Sequence, residues 1–240
     1  MRRFRPRWWA ALLALSFAVL TIYLGHWQGG RAQYKIDQQT TLDNALAASP
    51  VDFWRGPKTT DEVTPLRYRA INVNGEFDAK KMFFVDNRIQ DGKAGYVVLQ
   101  LLRAEQNGTT RYVLVDRGWV EAAQNRSQLP VLDTPADRAS IVGRINLPQS
   151  RNPGTQDNAA HPTDPRINYI NLEELAQRLG VALEPYVIEQ TAGPGFLGTQ
   201  RALPAANYQK NRMYQMQWYA FAAFAVVLFF VLSVRKEVVS

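Results

Sequence analysis

The sequence predicts a membrane-anchored α+β protein. N- and C-terminal transmembrane helices flank one β-rich, mainly antiparallel extracytoplasmic domain. Three observations carry this. Trp8–Leu24 reads WWAALLALSFAVLTIYL and Trp218–Val234 reads WYAFAAFAVVLFFVLSV, and neither run contains a charged residue. Between them lie short alternating stretches punctuated by glycine and by two Asn-Gly pairs, a pattern of strands and tight turns.

The first run spans about 26 Å as a helix, close to the roughly 30 Å hydrocarbon core of a bilayer. Trp8, Trp9, Tyr23 and Trp27 sit at its ends, where amphipathic rings match the headgroup region. The residues after it, GHWQGGRAQYK, hold no A-x-A cleavage pattern, so the reading is a retained anchor rather than a signal peptide. Arg2, Arg3, Arg5 and Arg7 precede the first span, and Arg235 and Lys236 follow the second. By the positive-inside rule the amino terminus belongs in the cytoplasm; Lys210 and Arg212 balance Arg235 and Lys236 around the second span, and two spans return the carboxyl terminus to the cytoplasm. The expected organisation is a cytoplasmic tail at 1–7, a transmembrane helix at 8–27, and a periplasmic β-rich α+β domain at 28–207. A transmembrane helix with an outer extension follows at 208–234, then a second cytoplasmic tail at 235–240. The expected location is a bacterial inner membrane.

Within the central segment, IDQQTTLDNALAAS is expected to continue the first helix outward, and PVDFWRGPKTTDEVTP to form a loop. LRYRAINVNGEF alternates and ends in a predicted Asn-Gly turn. KMFFVDNR and GYVVLQLLR are strand-like. AEQNGTT should turn the latter into RYVLVDRGWV as a hairpin, and ASIVGRINL and PYVIEQ supply further strands. NLEELAQRLG reads as a short helix with Asn171 as N-cap, Glu174 three residues on, and Gly180 at its end. RNPGTQDNAAHPTDPRINYI has the turn chemistry of a long surface loop, and TAGPGFLGTQRALPAA that of a linker. No repeat and no heptad seam is evident.

The net charge is +7, but most of the excess lies beside the apolar runs, which argues against a nucleic-acid surface. There is no cysteine, so disulfides, thiolate metal sites and a cysteine nucleophile are excluded. No P-loop, G-x-S-x-G or H-E-x-x-H occurs, and nothing in the residues points to an enzyme. The two histidines are His26 and His161. His26 is a candidate haem ligand or else an interfacial residue beside Trp27. Met213 and Met216 share a helical face and carry soft thioethers, although methionines in such helices commonly serve packing. Gln215 and Gln217 can tie the two spans together or bind a partner's helix. In DRGWV (116–120), Arg117 and Trp119 are candidates for a contact surface, or else an ion pair and a packed ring around a bend at Gly118. Gln28 and Arg31 form a polar shelf above Trp27, with Arg31 suited to a carboxylate.

LGHWQGGRAQYK (24–35) resembles the pattern L-G-x-W-Q-x-x-R-x-x-x-K of the Surfeit locus protein 1 family. Leu24, Gly25, Trp27, Gln28, Arg31 and Lys35 are the matches. DRGWV is similar to the family's N-R-G-W-V, GYVVLQLLR to its P-G-Y-x-V-x-T-P-L, and RINYINLEELAQRLG to its loop-then-helix segment. The resemblance implies a non-enzymatic assembly factor for haem-copper cytochrome c oxidase, which aids haem a insertion into subunit I or stabilises it. The implied partners are subunit I, a haem a synthase and the lipid bilayer. It also implies a histidine at the outer end of the second helix, where this chain has Gln215. A primary amide is a poor ligand for haem iron. Either His26, Met213 or Met216 takes the role, with Arg31 on the propionates of a transiently bound haem a, or the chain is a scaffold that holds no haem. Trp27, Gln28, Arg117, Trp119 and Gln217 would then serve partner binding. The competing reading is a two-span periplasmic ligand-binding or sensor module, for which the short cytoplasmic tails offer no output domain.

Overall fold

A computed structural model describes residues 2–4, 6–148, 163–198, 203–204 and 207–236. His161 and much of the expected 151–170 loop lie outside the described residues. The chain divides into two units, Met1–Thr41 with Pro204–Ser240, and Leu42–Leu203.

The first unit is a helix pair. Helix α1 runs Trp8–Ala47 without a break, about 60 Å, so the outward continuation expected from the sequence is present. Helix α4 runs Gln209–Ser233. Both are long and apolar enough to cross a membrane, and their most apolar windows are only 17% and 11% buried. A core helix of a soluble domain would bury most of such a window, so these helices are membrane anchors. At one end, strand β1 (Arg2–Phe4) pairs antiparallel with strand β9 (Val234–Lys236).

The second unit is a β-barrel. Its strands are β2 (Val51–Asp52), β3 (Ala70–Gln90), β4 (Lys93–Gln106), β5 (Thr109–Glu121), β6 (Ala139–Asn146), β7 (Arg166–Ile167) and β8 (Leu183–Ala192). The pairing order β3-β4-β5-β8-β6 returns to β3 and closes the ring, with the short β2 and β7 laid along β3. Most pairs are antiparallel; β5–β8 is parallel. Closure removes the unpaired edges that would otherwise template aggregation.

The two Asn-Gly pairs behave differently. Asn107 and Gly108 take φ values of 50° and 74° and make the expected β4–β5 hairpin turn. Asn74-Gly75 does not turn. Strand β3 continues through it, pairing with β6 over residues 70–75 and with β4 from residue 76. A Cβ at Gly75 would lie 2.6 Å from the Arg103 carbonyl oxygen, so this glycine permits close strand approach rather than a reversal. The reversal comes at Asp91-Gly92, both with positive φ.

Alternation along β3 puts Ile71, Val73 and Phe77 inward, where they meet Leu102, Val113, Val115, Ile141, Ile145 and Ile188. The segment expected to be loop is more structured: Phe53 sits in a 3₁₀ turn, helix α2 (Thr60–Val63) ends in Val63, and both side chains join this core. Their apolar residues sit among loop-type neighbours, which hid them. Burying each contributes about 1.5–3 kcal/mol. Outside the barrel wall, helix α3 (Leu172–Leu179) lays Leu175 and Leu179 on Leu99, Leu101 and Leu114. Its caps are as read from sequence: the Asn171 side chain accepts from the Glu173 and Glu174 N–H groups, and Gly180 is left-handed at φ 71°.

Tyr186 lies fully buried in the barrel core, and among the described residues its hydroxyl has no hydrogen-bond partner. Burial, followed by the charge of Glu184, pushes its pKa well above the ordinary phenol value, with Arg111 opposing. The folded state therefore keeps the proton longer than the unfolded chain. Stability is unaffected below the unfolded value of about 10 and falls as pH rises above it. Tyr186→Phe should be neutral or stabilising at pH ~7. It should also lessen the loss of stability above pH ~10 relative to wild type, read by chemical denaturation at each pH.

Candidate functional site

The helix pair is held by a seam of small and polar residues. On α1, Ala18, Thr21, Gly25 and Ala32 are buried, with Gln28 and Gly29 partly so. The spacing is that of a heptad seam, which escaped sequence reading because its members are not the apolar ones. Gly25 and Gly29 form a G-x-x-x-G pair, and that was the available signal. A Cβ at Gly25 would overlap the Tyr219 ring, and one at Gly29 would overlap the Gln215 amide. The two glycines thus form a groove on α1 that receives Gln215 and Tyr219, one turn apart on α4. The Gln215 amide donates to the Tyr219 hydroxyl at 3.4 Å. His26 sits at the rim, exposed, with its ring edge-on to Tyr219 at 5.9 Å.

A polar ladder continues the seam. Asn211 donates to the Gln28 side-chain oxygen at 2.7 Å, and Lys35 donates to the Asn211 side-chain oxygen at 2.8 Å and to the Asn207 carbonyl at 3.2 Å. The other candidates face away. Trp27 is 48% exposed, with the Arg31 guanidinium stacked over its ring at 5.1 Å, a cation–π pair one turn apart. Met213 and Met216 are 68% and 72% exposed, and Gln217 is exposed beside them. The seam therefore gathers Gln28 and Gln215 and leaves Trp27, Arg31, Met213, Met216 and Gln217 outward.

In the barrel, DRGWV forms a β-bulge. Leu99 pairs with Asp116 and Val98 with Gly118, so Arg117 is the extra residue. Gly118 has φ 122°, and its N–H donates to the Asp116 carboxylate at 3.0 Å. The bulge turns Arg117 inward, where it is 2% exposed. Its guanidinium donates to Gln100 Oε1 at 2.6 Å, the Gly195 carbonyl at 2.6 Å and the Asp133 carbonyl at 2.7 Å, and lies over the Phe77 ring. Gln100 in turn donates to the Asp78 carbonyl and to Thr134. Burial holds the Arg117 pKa below the usual guanidinium range, partly offset by the charge of Asp133.

The expectation of a contact surface at Arg117 gives way to an internal hub, because only an accessible side chain can meet a partner. Its acceptors are two backbone carbonyls and an amide oxygen rather than the carboxylate that the ion-pair alternative required. Trp119 is half-buried, and its indole N–H donates to the Arg88 carbonyl at 2.8 Å. Gln100 went unnoticed, since nothing local marks a buried glutamine in an apolar strand. A second buried arginine, Arg111, is held in two-pronged fashion by Glu184, and also by the Phe53 carbonyl. Burial lowers its pKa, and the hydrogen bond and charge of Glu184 more than reverse this. Among the described residues no cluster of His, Asp or Glu is arranged to hold a metal ion.

These features define a class: a barrel domain inserted between two membrane helices that pack on each other through glycines. A profile of the SURF1 family matches residues 15–223, and the chain belongs to that family. Surfeit locus protein 1 of Xenopus tropicalis is 26% identical over 243 residues, covering 93% of this chain and 76% of that protein. The human Surfeit locus protein 1 is 24% identical over 239 residues, covering 92% and 76%. Cytochrome oxidase assembly protein SHY1 of Saccharomyces cerevisiae is 27% identical over 148 residues, covering 58% of this chain and 37% of that protein.

Two outcomes follow. Arg117→Met should destabilise the chain by about 3 kcal/mol, since it strands buried acceptors of the hub, and its urea midpoint should fall accordingly. Gly29→Leu should force Gln215 out of its groove at a cost of about 1–3 kcal/mol. In this cysteine-free chain, disulfide yield between Gln28→Cys and Asn211→Cys should then drop roughly tenfold; an unchanged yield would contradict the seam.

Proposed function

We propose that this chain is an assembly factor for haem-copper cytochrome c oxidase. Its helices anchor it in a bacterial inner membrane, with both termini cytoplasmic and the barrel periplasmic. The observation that carries the reading is the extent of the family match: residues 15–223 take in most of α1, the whole barrel and the first part of α4, and a relative bears the name of a cytochrome oxidase assembly protein. The pairing of β1 with β9 agrees with both ends lying on one side, and the arginines before α1 favour the cytoplasmic side.

The expected work is stabilisation of oxidase subunit I while its haem-copper centre forms, next to the haem a synthase, without turnover chemistry. We read the chain as a scaffold. Haem a held here would need donors that converge on one iron. Gln215, at the position of the implied histidine, is engaged with Gly29 and Tyr219. His26 lies at the seam's rim, while Met213 and Met216 are on a strongly exposed stretch of α4. These donors do not fit a closed haem site within one chain. The exposed Trp27, Arg31 and Gln217 are the residues offered to a partner.

Deleting the gene in a strain that makes haem a should lower assembled oxidase and its haem a absorbance. Normal oxidase content and spectrum in the deletion strain would refute the assembly reading. Chain purified in detergent from such cells should show no haem band in a reduced-minus-oxidised spectrum. A band that disappears in His26→Ala would refute the scaffold reading and leave assembly standing.

A further inference from the structure

At the end of the helix pair remote from the β1–β9 ribbon, cations stand where the sequence places no carboxylate. Residues 8–36 and 208–233 contain no Asp or Glu. Gln28, Arg31 and Lys35 recur at i, i+3 and i+7, so they line one flank of α1. Asn207, Asn211, Tyr214 and Trp218 line a flank of α4 by the same logic. The Gln28–Asn211 bond and the two Lys35 bonds bring these flanks side by side. Arg31 sits over the Trp27 ring, and among the described residues its guanidinium donates no hydrogen bond. Lys35 gives two of its three N–H donors to Asn207 and Asn211 and keeps one. The first acidic residue beyond, Asp37, already accepts from Gln33. Depth follows from the apolar run, which ends at Leu24. Trp27 marks the headgroup region, and Arg31 stands one turn, about 6 Å, beyond it. Lys35 starts a turn further out, but its ammonium reaches back to Asn211, which also holds Gln28.

We propose that Arg31 and Lys35, on the flank joined by the Gln28–Asn211 bond, form a seat for the phosphodiester of an anionic phospholipid. The guanidinium is held by its face on Trp27 and leaves its N–H edge for phosphate oxygens, which accept from it and from the spare Lys35 donor at once. Tyr214 and Trp218 continue the same flank toward the hydrocarbon, where amphipathic rings suit the glycerol and upper acyl region. A lipid whose headgroup carries no ammonium of its own leaves its phosphate charge for these two cations. The inference rests on the helices being membrane anchors and is independent of the role in oxidase assembly.

Arg212 provides the control. Gly25 meets Tyr219 and Gly29 meets Gln215, so Arg212 stands nearly level with Arg31. It follows Asn211 by one position, which turns it about 100° away, across the seam to the other flank. The full chain in neutral detergent is titrated with phosphatidylglycerol or phosphatidylcholine of equal chain length, and retained lipid is counted by native mass spectrometry. Phosphatidylglycerol should be retained about fivefold or more over phosphatidylcholine, and Arg31→Gln should reduce that preference about fivefold, the factor expected for one basic residue at an anionic headgroup. Arg31→Lys should keep most of the preference, and Arg212→Gln should leave it unchanged. Equal retention of the two lipids would overturn the proposal, as would a preference that survives Arg31→Gln. A loss in Arg212→Gln as large as in Arg31→Gln would also overturn it, since diffuse attraction to the whole basic end would then suffice. Inorganic phosphate should not displace the bound lipid; if it does, the seat takes free phosphate and the lipid assignment fails.

Discussion

Strand β3 has two long partners, β6 and β4, and must bend between them. Its first residues pair with β6 and its last with β4, and only a strand that changes direction can close the ring. Gly75 sits at the change, pressed against the Arg103 backbone, and the register shift between Phe77 and Met82 follows it. The shift lets several residues of β3 pass against few of β4, which curls the sheet. The enclosed space is filled by Ile71, Val113, Ile141 and Ile188, joined by Phe53 and Val63. Without that bend, β3 and β6 would present open edges and the core would lie exposed on one side.

The break in β3 also leaves a carbonyl, that of Asp78, without a ladder partner from the opposing strand, and Gln100 reaches it. The oxygen of the Gln100 amide accepts from Arg117, which also donates to the Asp133 and Gly195 carbonyls. Irregularities in two strands are thus matched to each other: the bend in β3 creates an acceptor, and the bulge in β5 delivers the donor network that meets it. A guanidinium suits this role because its planar fork bonds several carbonyls at once, which a lysine ammonium does with less geometric control. Its positive charge is desolvated but surrounded by oriented dipoles, which explains both its depressed pKa and its tolerance in the interior.

The sequence carried the architecture well where the signal was periodic. Both spans, the Asn107-Gly108 turn, the cap and stop of α3 and the strand alternation of 70–77 are present as read. It carried less where one residue type serves two purposes. Asn74-Gly75 has the composition of a turn, yet its glycine is there for close approach, and only the partner carbonyl of Arg103 reveals that. Phe53 and Val63 were hidden among Pro, Gly and charged residues. Arg117 looked like a surface anchor because Arg and Trp often are; the bulge that inverts it depends on pairing with a strand nearly 20 residues away. At the helix pair, hydrophobic patterning drew attention to the apolar faces, which point outward, while the packing surface is the less apolar one.

That inversion is what a membrane demands. Lipid tails solvate leucine and phenylalanine as well as another helix does, so burying them against each other gains little. Helices associate instead where backbones approach closely and where polar groups find partners that hydrocarbon cannot offer. Gly25 and Gly29 provide the approach, and Gln215, Tyr219, Gln28, Asn211 and Lys35 provide the partners. Position 215 faces the groove against Gly29. In this chain an amide fills the position and donates to Tyr219. One side chain thus serves both needs, filling the space the glycine leaves and finding a polar partner within the seam.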